Sequence, residues 1–178
     1  MYDVLHRKCV KGKLFKAIQS IYISVQDCVR TSKGYTHTCS CPVGLRQGCS
    51  LSPILFAMFI DEFYTLLCDC DVRGIQLLPN LTEIFLLMFA DDIALIADTL
   101  VGLQRQLKRL YDFCQRSKVV VNITKTKIMV FERGGALARW EMWTFNNCKI
   151  EVVNGFTYVG LCFTNRLSMY QKYYMYVM

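Results

Sequence analysis

The sequence lacks any apolar run of the roughly 18 residues that a membrane-spanning helix needs. The run over 51–60 ends at Asp61 and Glu62, and the run over 84–90 ends at Asp91. The N-terminal residues also lack the apolar core of a secretory signal. We therefore predict a protein without a membrane partner that works inside the cell, in the cytoplasm or the nucleus.

Histidine is scarce, with two residues in the chain, and the ten cysteines follow no metal-binding pattern. The pairs Cys39/Cys41 and Cys68/Cys70 each enclose one residue, whereas zinc sites usually enclose two to four. Disulfide frameworks belong to shorter secreted chains with regular cysteine spacing. A structural zinc is thus disfavoured, and we interpret most cysteines as small buried hydrophobes.

Acidic residues are the minority charge. The 178 residues hold 21 Lys and Arg against 14 Asp and Glu, which gives a net charge of +7. This excess makes a phosphate-rich partner plausible without requiring one. A hydrophobic content of 53% and the absence of repeats indicate one globular domain with a sizeable core.

Hydrophobic periodicity predicts both helices and strands. Amphipathic helices are predicted over 12–25 and 100–114, and Ser52 and Pro53 are typical of the start of a third, which is apolar nearly all round and should run through the core. Beyond one central hairpin, strands are predicted over 27–31, 36–43, 119–121, 128–131, 143–146, 148–153 and 156–163. No regular element is predicted after 163. This pattern favours an α+β fold with helices packed on one face of the sheet.

Two adjacent carboxylates, Asp91 and Asp92, separate the apolar runs 84–89 and 93–97. Strand, acidic turn and strand predict a β-hairpin with a polar tip. Neighbouring residues on a regular strand point to opposite faces, so both carboxylates can reach one site only where the backbone turns. Mg²⁺ prefers such oxygen ligands. The alternative is that both Asp are simply turn residues.

Four segments stand in order: 44–56 (GLRQGCSLSPILF), 89–92 (FADD), 122–127 (NITKTK) and 156–160 (FTYVG). In this order and spacing they resemble the reverse transcriptase domain of non-LTR (LINE-like) retrotransposons, over about 2–163 and truncated at both ends. The resemblance implies a polymerase palm with an antiparallel sheet and a partial fingers segment. The implied segments are partial fingers and palm entry over 1–45, palm core over 46–135, palm end with a primer-grip-like hairpin over 136–163, and an irregular tail over 164–178.

The resemblance also implies roles for residues. Asp91 and Asp92 match the metal-binding pair for Mg²⁺ (or Mn²⁺). The loop and helix start that match the template- and nucleotide-binding segment contain Arg46, Gln47, Gly48, Ser52 and Pro53. Lys125, or its neighbour Lys127, corresponds to a lysine acting on the leaving pyrophosphate. The primer grip corresponds to Phe156, Tyr158 and Gly160, although aromatic residues on a strand are more often core. Arg46, Lys108, Arg109 and Arg116 are candidates for phosphate contacts or plain solvated charges.

The implied partners are an RNA template, a DNA primer, deoxynucleoside triphosphates, and the upstream and downstream parts of a full retroelement protein. The family pattern needs a third carboxylate, which we expect upstream of Met1; Asp3 matches a position that does not bind metal. Two interpretations follow. The chain is a fragment of an RNA-directed DNA polymerase that is inactive alone, or it is a non-catalytic nucleic-acid-binding remnant or decayed reading frame.

Overall fold

A computed structural model describes residues 1–41, 43–69, 73–76, 83–131, 142–165 and 173–178. The chain divides into two compact units, Met1–Glu62 and Phe63–Met178. Within the described ranges, no helix is long and apolar enough to cross a membrane. The elements are α1 (Tyr2–Arg7), α2 (Gly12–Tyr22), β1 (Gln26–Asp27), β2 (Arg30–Thr31), β3 (Gly34–Tyr35), β4 (Cys39–Ser40), α3 (Ser52–Cys68), β5 (Leu86–Phe89), β6 (Asp92–Ala97), α4 (Leu100–Ser117), β7 (Lys127–Phe131), β8 (Thr144–Phe145), β9 (Cys148–Lys149), β10 (Glu151–Val153), β11 (Gly155–Tyr158), β12 (Leu161–Thr164) and β13 (Tyr173–Val177).

The first unit contains α1, α2 and the start of α3, with a core around Leu5, Ile18 and Leu55. The amphipathic pattern of α2 predicts this helix, which ends at Tyr22, before the expected residue 25. Ser24 follows with a φ of 60°, a left-handed conformation that no α-helix continues through. The predicted ribbon forms two short antiparallel pairs, β1 with β4 and β2 with β3.

The helix α3 buries one side rather than its whole circumference, so this prediction was wrong. Leu55, Phe63 and Leu67 are buried, whereas Ile54 is 55% and Tyr64 45% exposed. Composition alone could not identify the exposed side, because apolar residues occur all round this helix.

The second unit is built on a five-stranded sheet with the order β10-β7-β13-β6-β5. The strand β6 has neighbours on both sides, and all its residues from Ile93 to Ala97 are buried. An uninterrupted apolar run is typical of a strand that is covered on both faces. The predicted central hairpin and the α+β class are therefore confirmed.

The helix α4 packs on this sheet and contacts β6 and β13. Thr99 caps its N-terminus by accepting a hydrogen bond from the N–H of Gly102 at 3.0 Å, and Lys118 ends it in the left-handed conformation. Leu103, Leu107 and Leu110 are buried. The predicted amphipathic helix is confirmed, with its charged residues Arg105, Lys108, Arg109 and Arg116 exposed.

Several local predictions were wrong. The sheet is mixed rather than antiparallel, because β10 runs parallel to β7. Residues 119–121 form no strand, and Val120 is 90% exposed. The range 156–163 is a hairpin, β11 with β12, which turns at Val159 and Gly160. Residues 173–177, where no regular element was predicted, form the central strand β13.

The cysteines were also misjudged. Of the nine in the described residues, only Cys114 is buried, while six are exposed. Cysteine has too small a side chain to mark a buried position by itself, and its location follows the packing around it.

Candidate functional site

The tip of the hairpin β5–β6 exposes two carboxylates. Phe89 pairs with Asp92, so Ala90 and Asp91 form a two-residue loop. Of these two loop residues only Ala90 has a positive φ, at 53°, which is the sign pattern of a type II′ turn. Asp91 and Asp92 are exposed, whereas β6 is fully buried from Ile93 onward. A buried strand thus ends in a charged, solvent-facing turn.

The face of the sheet next to Asp92 is covered by the hairpin β11–β12. Tyr158 packs in the core cluster that contains Ala94 and Ile96, which alternate with Asp92 on that face. Its hydroxyl donates a hydrogen bond to the Asp92 carbonyl oxygen at 3.4 Å. Burial raises the pKa of the Tyr158 phenol, and the negative charge of Asp92 raises it further. Tyr158 therefore supports the acidic tip from below and is buried itself.

The donor set at the tip suits a hard divalent cation in part. Mg²⁺ is commonly held by one or two protein carboxylates together with waters and substrate phosphates, and Asp91 and Asp92 supply two such carboxylates. Within the part of the chain that the structure describes, no three His, Cys, Asp or Glu residues group closely enough to hold a metal ion by themselves. The tip is thus suited to a metal that other ligands also hold.

Lys125 and Lys127 lie at the same edge of the sheet as the acidic tip. The register pairs Lys127 with Val177 of β13, which in turn pairs with Ala94, two residues after Asp92. The Lys127 Nζ atom donates to Glu151 Oε2 at 2.6 Å and to the Thr124 carbonyl at 2.9 Å. Lys125 is exposed, and its side chain contacts no hydrogen-bonding or acidic partner among the described residues. Of the two lysines, Lys125 has the freer ammonium group.

In the first unit, the loop before α3 presents Arg46 and Gln47 to solvent. Gly44 and Gly48 flank them with φ values of 102° and 79°, and open space surrounds the position of a side chain at either glycine. Ser52 fixes the loop, since its hydroxyl donates to the Arg46 carbonyl at 2.7 Å and lies 2.8 Å from the Tyr22 hydroxyl. The hydroxyl that was expected to cap α3 thus binds the loop instead.

Sequence reasoning missed Tyr22 and Cys49 beside this loop. The backbone N–H of Leu51 lowers the pKa of the Cys49 thiol, and a hydrogen bond from Tyr22 lowers it further. Burial raises the pKa of the Tyr22 phenol. Tyr22 ends an amphipathic helix, so its periodicity indicated only packing, and no local signal linked it to residue 52.

A second feature that the sequence did not reveal is a groove between α4 and the hairpin β8–β9, with a volume of about 560 Å³. Its lining includes the cationic residues Arg105 and Lys108, together with Tyr111 and Phe145. Of the basic residues proposed for phosphate contacts, Lys108 lines this groove, whereas Arg109 and Arg116 do not. The tight Asn146-Asn147 turn that the sequence predicted closes β8 and β9 at one side.

The predicted primer-grip residues divide into two groups. Phe156 and Tyr158 pack against the core of the second unit. Gly160 lies in the turn, where it is exposed with a φ of 78°. Packing, the alternative weighed for the two aromatic residues, therefore accounts for their positions.

Comparisons with known proteins agree with the resemblance seen in the sequence. The family model described as reverse transcriptase (RNA-dependent DNA polymerase) matches residues 5–163. A Xenopus laevis protein, the transposon TX1 uncharacterized 149 kDa protein, is 28% identical over 109 residues. That alignment covers 61% of this chain and 8% of the relative, so the chain spans only a small part of that relative.

Proposed function

The chain belongs to the reverse transcriptase (RNA-dependent DNA polymerase) family, and from this premise we propose that it is the palm portion of an RNA-directed DNA polymerase from a non-LTR retrotransposon. The observation that carries the proposal is the exposed Asp91-Asp92 tip at the end of a fully buried central strand. In this proposal the five-stranded sheet with α4 is the palm core, and part of the first unit belongs to the fingers.

Asp91 and Asp92 are the proposed ligands of Mg²⁺ or Mn²⁺. When bound, two such ions about 4 Å apart stabilise charge on the attacking and leaving oxygens of an in-line displacement at phosphorus. The part of the chain is to hold these carboxylates at a fixed turn. That rigidity is supported by the paired strands below the turn and by the hydrogen bond from Tyr158.

Lys125 is the proposed general acid at the leaving pyrophosphate. Its place at the same sheet edge as Asp92, and the absence of a competing partner among the described residues, support it over Lys127. Lys127 is held by Glu151 and the Thr124 carbonyl, so a proton transfer from it would first break that ion pair.

Arg46, Gln47 and Gly48 are the proposed contacts to template and incoming nucleotide, with Ser52 and Pro53 at the start of the following helix. The open glycine-flanked loop supports this role, because backbone without side chains can approach a nucleotide closely. Ser52 is then a positioning residue that fixes the Arg46 backbone. For the primer, exposed Gly160 is a better proposed contact than Phe156 and Tyr158, which are engaged in packing.

We further propose that the chain is inactive alone, because two carboxylates leave the metal site short of a protein ligand. The alternative is a non-catalytic remnant that binds nucleic acid through its basic surface. The two proposals differ in the acidic tip, since a remnant has no need of a metal there.

Manganese binding to the full chain tests the metal site. We expect weak Mn²⁺ binding by electron paramagnetic resonance, which Asp91→Asn and Asp92→Asn each weaken at least tenfold, or about 1.4 kcal/mol. Asp98→Asn, just beyond the other end of the same strand β6, is the matched control and should leave binding unchanged. Equal binding by all four proteins would reject Asp91 and Asp92 as ligands.

RNA-templated primer extension tests the activity. We expect none from the 178-residue chain and measurable synthesis from a longer retroelement protein that contains it. In that longer protein Asp91→Asn should lower the rate about a thousandfold or more, the equivalent of roughly 4 kcal/mol. Robust synthesis by the chain alone contradicts the proposed need for a further carboxylate.

A further inference from the structure

The strands β6 and β7 form a split unit with one strand position between them. Both pair antiparallel with β13, so they run parallel to each other, and α4 connects them. Without a strand in that position, β6 and β7 would each expose an unpaired edge in the middle of the sheet. The sheet therefore contains a strand slot, defined here as the position between β6 and β7.

The strand that fills this slot comes from the far end of the sequence. Tyr174, Met175, Tyr176 and Val177 each pair with a residue of β6 and a residue of β7. All four are buried, with at most 7% of any side chain exposed. No acidic residue occurs in β13.

The direction of the slot aims the carboxyl end of its strand at the acidic tip. Val177 pairs with Ala94, and the Met178 N–H donates to the Ile93 carbonyl at 2.9 Å. Directly paired residues share a face, and so do alternate residues of one strand. Val177 therefore lies on the same face as Ala94 and Asp92. An acidic side chain at or just after this position would lie beside the Asp91-Asp92 tip.

The present occupant leaves one polar atom unsatisfied. The Tyr176 hydroxyl is buried beside Thr126 but outside hydrogen-bonding geometry, while Thr126 donates its own hydroxyl proton to the Asn122 carbonyl. An unmade hydrogen bond in a buried site disfavours the arrangement that contains it. This strand is thus well packed without being fully satisfied.

We propose that the slot is a strand-acceptor site, that β13 is its replaceable occupant, and that the partner it fits is an antiparallel strand carrying an acidic residue at its carboxyl end. Binding of such a strand would add main-chain hydrogen bonds to β6 and β7 and a third carboxylate to the tip. While β13 occupies the slot, the tip keeps two carboxylates. The role of the third carboxylate rests on the proposed function, whereas the strand exchange does not.

Amide hydrogen exchange of the full chain tests the replacement. The probe is a synthetic peptide with the sequence of residues 171–178 in which Asp replaces Val177, and the control peptide carries Asn there. Millimolar amounts of either peptide should speed exchange of the amides at 174–178 at least tenfold, while the amides of Leu95 and Val130 stay protected. If the amides of β13 exchange only together with Leu95 and Val130, and neither peptide changes this, β13 is a fixed strand and the inference is overturned.

A variant that weakens β13 provides an independent measurement. Met175→Pro removes a backbone N–H in the middle of the strand, and Met175→Leu keeps it with a similar volume. The Asp peptide should bind the proline variant at least tenfold more tightly than the leucine variant, because the competing strand is lost. If the proline variant is unfolded, the peptide should restore its folding, and failure to do so counts against the slot.

Manganese binding separates this inference from the proposed function. The Asp peptide should raise Mn²⁺ affinity at least tenfold over the Asn peptide. Strand exchange by both peptides without that difference overturns the acidic partner. Loss of the inference with Mn²⁺ binding still sensitive to Asp91→Asn leaves the proposed function standing, and the opposite result rejects the metal site.

Discussion

The hairpins β5–β6 and β11–β12 both close with two-residue loops but are stabilised differently. The loop of β5–β6 is Ala90-Asp91, and the strand β6 below it is buried on both faces. The loop of β11–β12 is Val159-Gly160, and this two-stranded pair stands outside the five-stranded sheet. Because an isolated hairpin is only marginally stable, β11–β12 depends on the contact of its aromatic face with the core. The acidic tip belongs to the stably held hairpin, and the hairpin beneath it depends on packing.

The largest expected effect is the loss of that aromatic contact. Tyr158→Ala should lower the free energy of unfolding by about 3–5 kcal/mol, because it leaves a cavity beside Ala94 and Ile96. Tyr158→Phe keeps the ring and should cost about 1 kcal/mol for the lost hydrogen bond to Asp92. Urea unfolding in reducing buffer measures both. Tyr35→Ala, at a side chain 71% exposed, is the control, and a Tyr158→Ala cost no larger than the control would break the comparison.

A smaller gain is expected at the turn of β11–β12. Val159 has a φ of 48°, which is unfavourable for a β-branched residue, and Gly160 follows at 78°. Val159→Asn creates the Asn-Gly pair that type I′ turns favour and should stabilise the chain by about 1 kcal/mol. Thr157→Asn on the same hairpin is the control and should give no gain. Equal effects of the two substitutions in thermal unfolding would show that the turn is not strained.

The loop of β5–β6 should respond less. Ala90→Gly relieves a φ of 53°, but alanine is not β-branched and the glycine adds freedom to the unfolded chain. We expect a net gain of about 0.5 kcal/mol by urea unfolding, with Mn²⁺ binding at the tip unchanged. A gain above that of Val159→Asn would reverse the order of strain proposed for the two loops.

The smallest effect concerns pH and links the two hairpins directly. The pKa of the Tyr158 phenol is raised in the folded chain, so its stabilising contribution is intact below about pH 10 and is lost as the pH rises through the folded value. Asp92→Asn removes the charge that adds to the effect of burial, and should lower this pKa by a fraction of a unit without returning it to normal. NMR titration of ¹³C-labelled tyrosine measures it. An unchanged pKa would mean that the Asp92 carboxylate does not act on Tyr158.

Local patterns were sufficient where one element decides its own structure. The helix α4 follows from leucines at helical spacing with a capping Thr99, and the hairpin β5–β6 follows from two apolar runs around an acidic turn. The family assignment also came from segments in the sequence, and the matching of residues 5–163 confirms it. The roles given to Asp91, Asp92 and Lys125 stay predictions.

Contacts between distant residues could not be inferred in the same way. The range 156–163 was expected to form one strand, because Val159 is a strong strand former and hides a turn that only left-handed backbone angles reveal. The bond between Tyr22 and Ser52 joins residues thirty positions apart, and no local pattern reports it.

The sequence by itself determined the apolar hairpin with its acidic tip, the amphipathic α4 and the family to which the chain belongs, because each depends on neighbouring residues. Only the tertiary structure decided that β13 lies between β6 and β7, that β10 runs parallel to β7, and that Tyr158 supports Asp92 from beneath. Strand order and face-to-face packing depend on which distant edges meet, and a chain of side chains carries no local mark of its partner across the sheet.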